Sequence, residues 1–381
     1  MKKVGRQVLF LSTDENNLRN GEGTFIRLKN GDVMYAFTEY MGQTKKDHGN
    51  ARLCCCISKD EGESWSERRP LIEMDEGAQN IMSVSLLRLK SGKLGVIYLR
   101  KSADSEGGCI CMPVFRVSDN EGESFSDFVY CTDKKGYYCP FNGSAKVLKS
   151  GRIVIPVAYV MDRYDIFKKG IKTNRPECGP YVEILYSDNE GESWHTMPHR
   201  FESPYADTNG LVEPGIYEHD DGSIFVWFRT VYGYQYQSVS KDGGKSWSKA
   251  EPNFFFTSPD SPMQVDRACK MTAAVFNPTP YYVGNQNREE WKSPKRTPLL
   301  ITLDKNDGKN FSDNKRRAAN GGFLELENNT FVIEDDKNNS FCYPAIFDGG
   351  NYILVAYYHS NNTNWCLNCA KITKIDISEI V

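Results

Sequence analysis

Cysteine and histidine carry most redox, metal and thiol chemistry in proteins, and this 381-residue chain arranges them for none of it. Of twelve cysteines, Cys54, Cys55 and Cys56 are consecutive. Neighbouring side chains on an extended strand point to opposite faces, so these three cannot all bridge to one partner region. Cys366 and Cys369 make a single Cys-x-x-Cys with no second pair at zinc-knuckle spacing. Free thiols in a reducing compartment are the expectation. The five histidines show no ligand spacing, which argues against catalytic zinc, while acidic turns leave calcium open. No Gly-x-x-x-x-Gly-Lys, no strand-linked Gly-x-Gly-x-x-Gly and no His-Glu-x-x-His is present, so no cofactor is expected and no metal-site residue is nominated.

The elements that must position any site are set by two repeats. The first is a short phrase, Ser58-Lys-Asp-Glu-Gly-Glu-Ser-Trp65, which recurs at Ser118–Phe125, Ser187–Trp194 and Ser240–Trp247, with a weaker fifth copy at Asp304–Phe311. It has the chemistry of a hairpin tip: Asp or Asn bonds the backbone a few residues on, glycine supplies a positive φ, and the aromatic folds back over the turn. The second repeat is an apolar strand, a glycine turn and another apolar strand. It appears at Phe25–Phe37, Leu86–Tyr98, Ala145–Val157, Gly215–Phe228 and Pro344–Tyr357, with a shorter stretch at Lys270–Phe276. A repeat distance of about 50 to 70 residues is the range of propeller blades. Six hairpins, each extended to four strands by a tip phrase, predict an all-β fold, a six-bladed β-propeller. The strand near Lys371–Ile377 is expected to pair with the one near Gln7–Leu11. The blades use nearly all of residues 1–381, which predicts a single domain.

Composition agrees with that fold and narrows the partners. Hydrophobic residues are 39% and charged residues 25%, ordinary for a globular chain. Net charge is −3, which supplies no cationic field for nucleic acid or an anionic membrane, and neither is expected as a partner. No apolar run is long enough to cross a membrane as a helix, and Met1–Phe10 does not read as a signal peptide, so a cytoplasmic location is expected. The oligomeric state is left open.

The tip phrases are Asp-boxes, and with the hairpin spacing they resemble the sialidase (neuraminidase) superfamily of six-bladed propellers over nearly the whole chain. The tips lie away from the axial mouth and mark architecture, not activity. The resemblance implies a site at the mouth, with arginines for a substrate carboxylate, an aspartate acid/base, and a tyrosine nucleophile served by a glutamate. Carried over position by position, Glu213 and Arg229 match in the segment Glu213–Arg229, Tyr343 matches the nucleophile in Phe341-Cys-Tyr343-Pro-Ala-Ile, and Asp47 matches the acid/base in the loop Gln43–Gly49. His48 is the fallback acid. Arg296 is nominated as a further arginine, with Arg288 as competitor. The pairing makes chemical sense, because a carboxylate beside a phenol can take its proton and activate it, and tyrosine is a known exception to two-carboxylate glycosidases. A guanidinium fork binds a carboxylate by two parallel bonds.

The sequence departs from the family at the first arginine. Its Arg-Ile-Pro is missing, and the matching stretch is Leu18-Arg19-Asn20-Gly21-Glu22-Gly23-Thr24. Arg19 takes the role, or Glu22 replaces it and turns the site toward a neutral, hydroxyl-rich sugar. Tyr234 and Gln235, just after Arg229, are candidate substrate contacts, as are Asn80, Asn142, Asp207, Asn209, Asp260, Gln264 and Asn285 on predicted mouth loops. The insert Asp162–Pro180, rich in lysine, reads as a rim or lid, or as a solvated charge run. The leading reading is a retaining exo-glycosidase that releases a terminal acidic sugar from a glycan or oligosaccharide. The alternatives are the same fold acting on another sugar, such as a ketosidic or uronic acid, and a propeller that binds glycan or protein without turnover.

Overall fold

The computed structural model is described for all residues except 43, 104–108, 161–179, 205–209, 257–260, 279–295, 315–328, 361–366 and 381. Its strands form six antiparallel sheets, five of four strands and one of five, the blades of a propeller. Blades 1 and 2 run Asn17–Arg27, Val33–Met41, Ala51–Ser58, Arg69–Ile72 and Asn80–Arg88, Leu94–Ala103, Cys109–Ser118, Val129–Tyr130. Blade 3 has a divided inner strand, Tyr138–Cys139 and Lys146–Val147, followed by Ile153–Tyr159, Tyr181–Ser187 and His195–Thr196. Blades 4 and 5 are Val212–Glu218, Ile224–Arg229, Tyr236–Ser240, Glu251–Pro252 and Gln264–Ala268, Met271–Phe276, Leu299–Asp304, Thr330–Glu334. In blade 6, Phe341–Asp348, Tyr352–His359 and Cys369–Asp376 are completed by Arg6–Leu11 from the start of the chain, in the pairing expected from the sequence. That closure leaves no open sheet between the first and last blades.

Blade packing follows the two-residue period of the strands. Cys54 and Cys56 are buried toward blade 6 with Phe25, Tyr35 and Leu354, while Cys55 lies on the other face with Met34, Ile81 and Val96 of blades 1 and 2. All ten described cysteines are free thiols. Each fully buried aliphatic or aromatic side chain in these layers contributes about 1.5–3 kcal/mol.

The Asp-boxes connect third and fourth strands and are held by one repeated pattern. Ser58 Oγ accepts from Gly62 N at 2.8 Å and donates to Asp60, and Asp60 accepts from Ser64 N and Oγ at 2.9 and 2.5 Å. Ser118, Ser187 and Ser240 repeat the bond to the box glycine at 2.8 Å. The box glutamates tie neighbouring blades together: Glu61 accepts from Tyr352 Oη of blade 6 at 2.7 Å, Glu121 from Lys29 N of blade 1 at 2.9 Å, and Glu190 from Ser91 N of blade 2 at 2.6 Å. The fifth copy differs. Asp304 stands in the serine position, its carboxylate accepts from Asn306 and Asn310, and the chain makes one helical turn, Lys309–Ser312.

Candidate functional site

The inner strands begin at the mouth, and there the ladder is broken in the same way in several blades. Register shifts fall at Gly21/Thr24, Met82/Ser85, Val212/Gly215 and Cys342/Ala345. Each contains one non-glycine residue in the left-handed region: Glu22 (φ 52°), Ser83 (φ 57°), Glu213 (φ 43°) and Tyr343 (φ 55°). Left-handed backbone costs such a residue roughly 1–3 kcal/mol, and bulges of this kind re-aim side chains beside functional sites. In the divided strand of blade 3 the left-handed position is Gly143 (φ 66°), next to Asn142. Glu22, Ser83, Asn142 and Glu213 each stand nine residues before the hairpin glycine of their blade, Gly31, Gly92, Gly151 and Gly222.

Two linked clusters result. In the first, Tyr343 Oη donates to Glu213 Oε1 at 2.6 Å, and Arg229, at the mouth end of its strand, pairs with Glu213 Oε2 and reaches Tyr343 Oη at 3.4 Å. The Arg296 guanidinium lies 5.7 Å from the centre of the Tyr343 ring. Burial and the adjacent Glu213 push the Tyr343 phenol well above its usual range, while Arg229 and Arg296 pull it down. The arrangement holds a neutral phenol next to a carboxylate acceptor, with two cations placed to favour a phenolate.

The second cluster centres on Arg19, which is 2% exposed. Its Nε donates to Tyr358 Oη at 2.7 Å, its Nη1 to Asp47 Oδ1 at 2.6 Å and to Lys45 O at 3.3 Å, and its Nη2 pairs with Glu22 Oε1. Its plane lies against Tyr40, 4.3 Å from the ring centre. Ser83 Oγ closes the other side of Glu22, donating to Oε2 at 2.6 Å. Burial raises the Glu22 carboxyl, against the opposing pull of Arg19. The clusters meet where the Tyr343 and Tyr358 rings pack edge to face at 5.8 Å, and Glu213 acts electrostatically on Glu22.

Asp47, Glu213, Tyr343, Arg19, Glu22, Arg229 and Arg296 are thus brought together around the mouth. Glu22 and Asp47 both pair with the Arg19 guanidinium. Tyr234 and Gln235 are not brought into either cluster. Tyr234 packs edge to face on Phe254 at 5.5 Å, and the fully buried Gln235 donates to Ser261 O at 2.7 Å, tying two loops of the blade 4 rim. Asn142 donates to Gly23 O at 2.8 Å and Gln264 to Gly143 O at 3.3 Å, linking inner strands to one another. They stand beside an axial cavity of about 280 Å³ lined by Thr24, Arg88, Lys146 and Asp266. Asn80 binds the Asp47 loop instead of open solvent, donating to Gly49 O at 2.5 Å. His48 lies 3.8 Å from Cys109 Sγ. Arg288, Asp207, Asn209, Asp260, Asn285 and the insert 162–179 lie outside the described residues. Ser83, Tyr358, Tyr40 and Lys101 were not among the sequence candidates, although the nine-residue offset to Gly92 marks Ser83. Among the described residues no group of three or more His, Cys, Asp or Glu is placed to hold a metal.

This fold and mouth define a BNR-repeat propeller. The chain belongs to the BNR repeat-like domain family, which matches residues 78–355. No curated protein sequence matches it. Among solved structures it is similar to a protein of unknown function from Dyadobacter fermentans, at 17% identity and TM-score 0.71, covering 97% of this chain and 99% of that one. It is also similar to the NanB sialidase from Streptococcus pneumoniae, at 14% identity and TM-score 0.65, covering 99% and 71%. A third is the intramolecular trans-sialidase from Ruminococcus gnavus, at 13% and 0.66, covering 98% and 97%. At these identities the likeness is one of fold: the chain is a sialidase-fold propeller.

Proposed function

We propose that the chain is a retaining exo-glycosidase of sialidase type that releases a terminal sugar from a glycan. The observation that carries this reading is the 2.6 Å hydrogen bond from Tyr343 to Glu213, with Arg229 bound to the same carboxylate. In the first step the Tyr343 oxygen bonds to the anomeric carbon as its proton passes to Glu213, the glycosidic C–O bond breaks, and Asp47 gives its proton to the leaving oxygen. In the second step Asp47 takes a proton from water, the hydroxide oxygen bonds to the anomeric carbon, and the tyrosine leaves and recovers its proton from Glu213. Two displacements retain configuration. A neutral phenol suits an acidic sugar, since a carboxylate nucleophile would be repelled by the substrate's own charge.

Arg229 and Arg296 support an acidic sugar; Glu22 favours a second reading. A buried carboxylate occupies blade 1 of the mouth, and its Arg19 partner is already engaged by two anions, an arrangement suited to sugar hydroxyls. The test is mass spectrometry of the protein after reaction with fluorinated, activated glycosides of acidic and neutral sugars. A glycosyl adduct on Tyr343, absent in Tyr343→Phe, is the expected result, and the sugar that labels fastest decides between the readings. Turnover at the wild-type rate by Tyr343→Phe overturns the nucleophile assignment.

A further inference from the structure

Lys101 lies at the mouth end of the second strand of blade 2 and is 2% exposed, yet among the described residues no carboxylate lies within ion-pair distance of it. An ammonium is rarely buried without an anion, because losing its hydration is costly. Its Nζ donates at 2.5 Å to the backbone carbonyl of Asp47, across 54 residues of sequence, and sits 5.7 Å from the centre of the Tyr137 ring. Two residues further along the same loop, Gly49 O accepts from Asn80 of blade 2. The Asp47 side chain itself is half exposed and meets Arg19 at one oxygen. The loop is therefore gripped from blade 2 through its backbone and from blade 1 through its carboxylate, although few of its own residues are buried.

We propose that Lys101 is the positioning residue for Asp47: it fixes the loop from beneath by the Asp47 carbonyl, so that the carboxyl group is held over the mouth beside Arg19. The proposal rests on the reading of Asp47 as the acid/base. Asn80 shares the task with a neutral amide, whereas Lys101 adds a positive charge next to the reacting carboxyl. Among the described residues, the other charged or titratable groups around this loop are Arg19 and, behind it, Glu22 and Tyr40 from blade 1, Cys109 and Tyr137 on the blade 2 side, and Lys45, Lys46 and His48 on the loop itself.

The test compares Lys101→Met and Lys101→Arg with the wild type in thermal melting, hydrogen exchange of residues 44–50, and the pH profile of turnover on the activated glycosides above. Methionine fills the space without the charge and so removes the cost of burying an ammonium that has no anion beside it. Lys101→Met is therefore expected to melt at or above the wild-type temperature while residues 44–50 lose protection. Its kcat should fall by about tenfold with KM little changed, and the pH limb that Asp47→Asn abolishes should move up by roughly half a unit to one unit. Lys101→Arg should restore most of both. Wild-type protection and a wild-type profile in Lys101→Met overturn the proposal. If the wild type turns over no glycoside, the function reading fails, and hydrogen exchange alone decides the grip: loosening of 44–50 sustains it and unchanged protection overturns it.

Discussion

Glu213 and Tyr343 stand on inner strands of different blades, 130 residues apart in sequence, and meet at 2.6 Å, each from a left-handed backbone with φ of 43° and 55°. Neither residue type favours that conformation, and no hairpin requires it at these positions. The two bulges hold the phenol and carboxylate in hydrogen-bond contact, the geometry that proton transfer between them requires.

The first prediction concerns that proton. Glu213→Gln keeps the size of the side chain and one acceptor for Tyr343 but cannot take up its proton. Turnover should fall roughly 10²–10⁴-fold, with the melting temperature changed by no more than a few degrees. Steady-state rates and a thermal melt on the same preparation check it, and retained turnover would remove Glu213 from its role as base.

The second concerns acid stability. Asp60 is held down to about 2 by the hydrogen bonds of Ser64, first from its side chain and then its backbone, and Asp242 to about 2 by those of Ser246. A carboxyl depressed in the folded state adds stability above its unfolded value, near 3.8, and loses that contribution as pH falls toward 2. The boxes of blades 2 and 3 carry Asn120 and Asn189 at the same position and have no such proton to gain. The double variant Asp60→Asn, Asp242→Asn should therefore lose melting temperature less steeply than the wild type between pH 4 and 2. Parallel slopes would show that these two bonds do not contribute.

A third prediction separates architecture from chemistry. Gly191, in the third box, has φ 92°, and a Cβ there would come within 2.0 Å of the Phe115 ring, which is itself buried in blade 2. Gly191→Ala should destabilise the fold by about 2–4 kcal/mol, visible as a lower denaturation midpoint. The rate per folded molecule at 25 °C should not change, since the box is at the far end of the blade from Tyr343. A folded but inactive variant would contradict this.

The propeller was legible because its signals are local and repeated: box serine, glycine and tryptophan at fixed offsets, and strand pairs around a glycine. Even the closing strand from the chain's start could be paired correctly. Glu213, Arg229, Tyr343, Asp47 and Arg296 were all found as candidates, and the fold gathers them. What escaped depends on contacts between blades. Arg19 read as an available cation, and only the folded chain surrounds it with Glu22, Asp47 and Tyr358. Asn80 reads from sequence as a candidate substrate contact and Lys101 carries no signal there; only the folded chain lays the Asp47 loop across both. Tyr234 and Gln235 follow Arg229 in sequence, but the turn after that strand carries them outward to the rim. The fifth box, read as a weaker copy, departs at both serine positions, with Asp304 where serine bonds the glycine amide and Asn310 where the second serine stands.

The recurring bulge separates the chemistry of this molecule from its architecture. In blades 1, 2 and 4 the left-handed station falls nine residues before the hairpin glycine, and with its counterpart at Tyr343 in blade 6 it gives the ring a set of sockets whose occupants can be exchanged without redesigning the blades. In this chain the sockets hold Glu22, Ser83, Glu213 and Tyr343. Exchanging one occupant, such as the carboxylate of Glu22 for a cation, would rewrite what the mouth accepts while leaving the reacting pair in place.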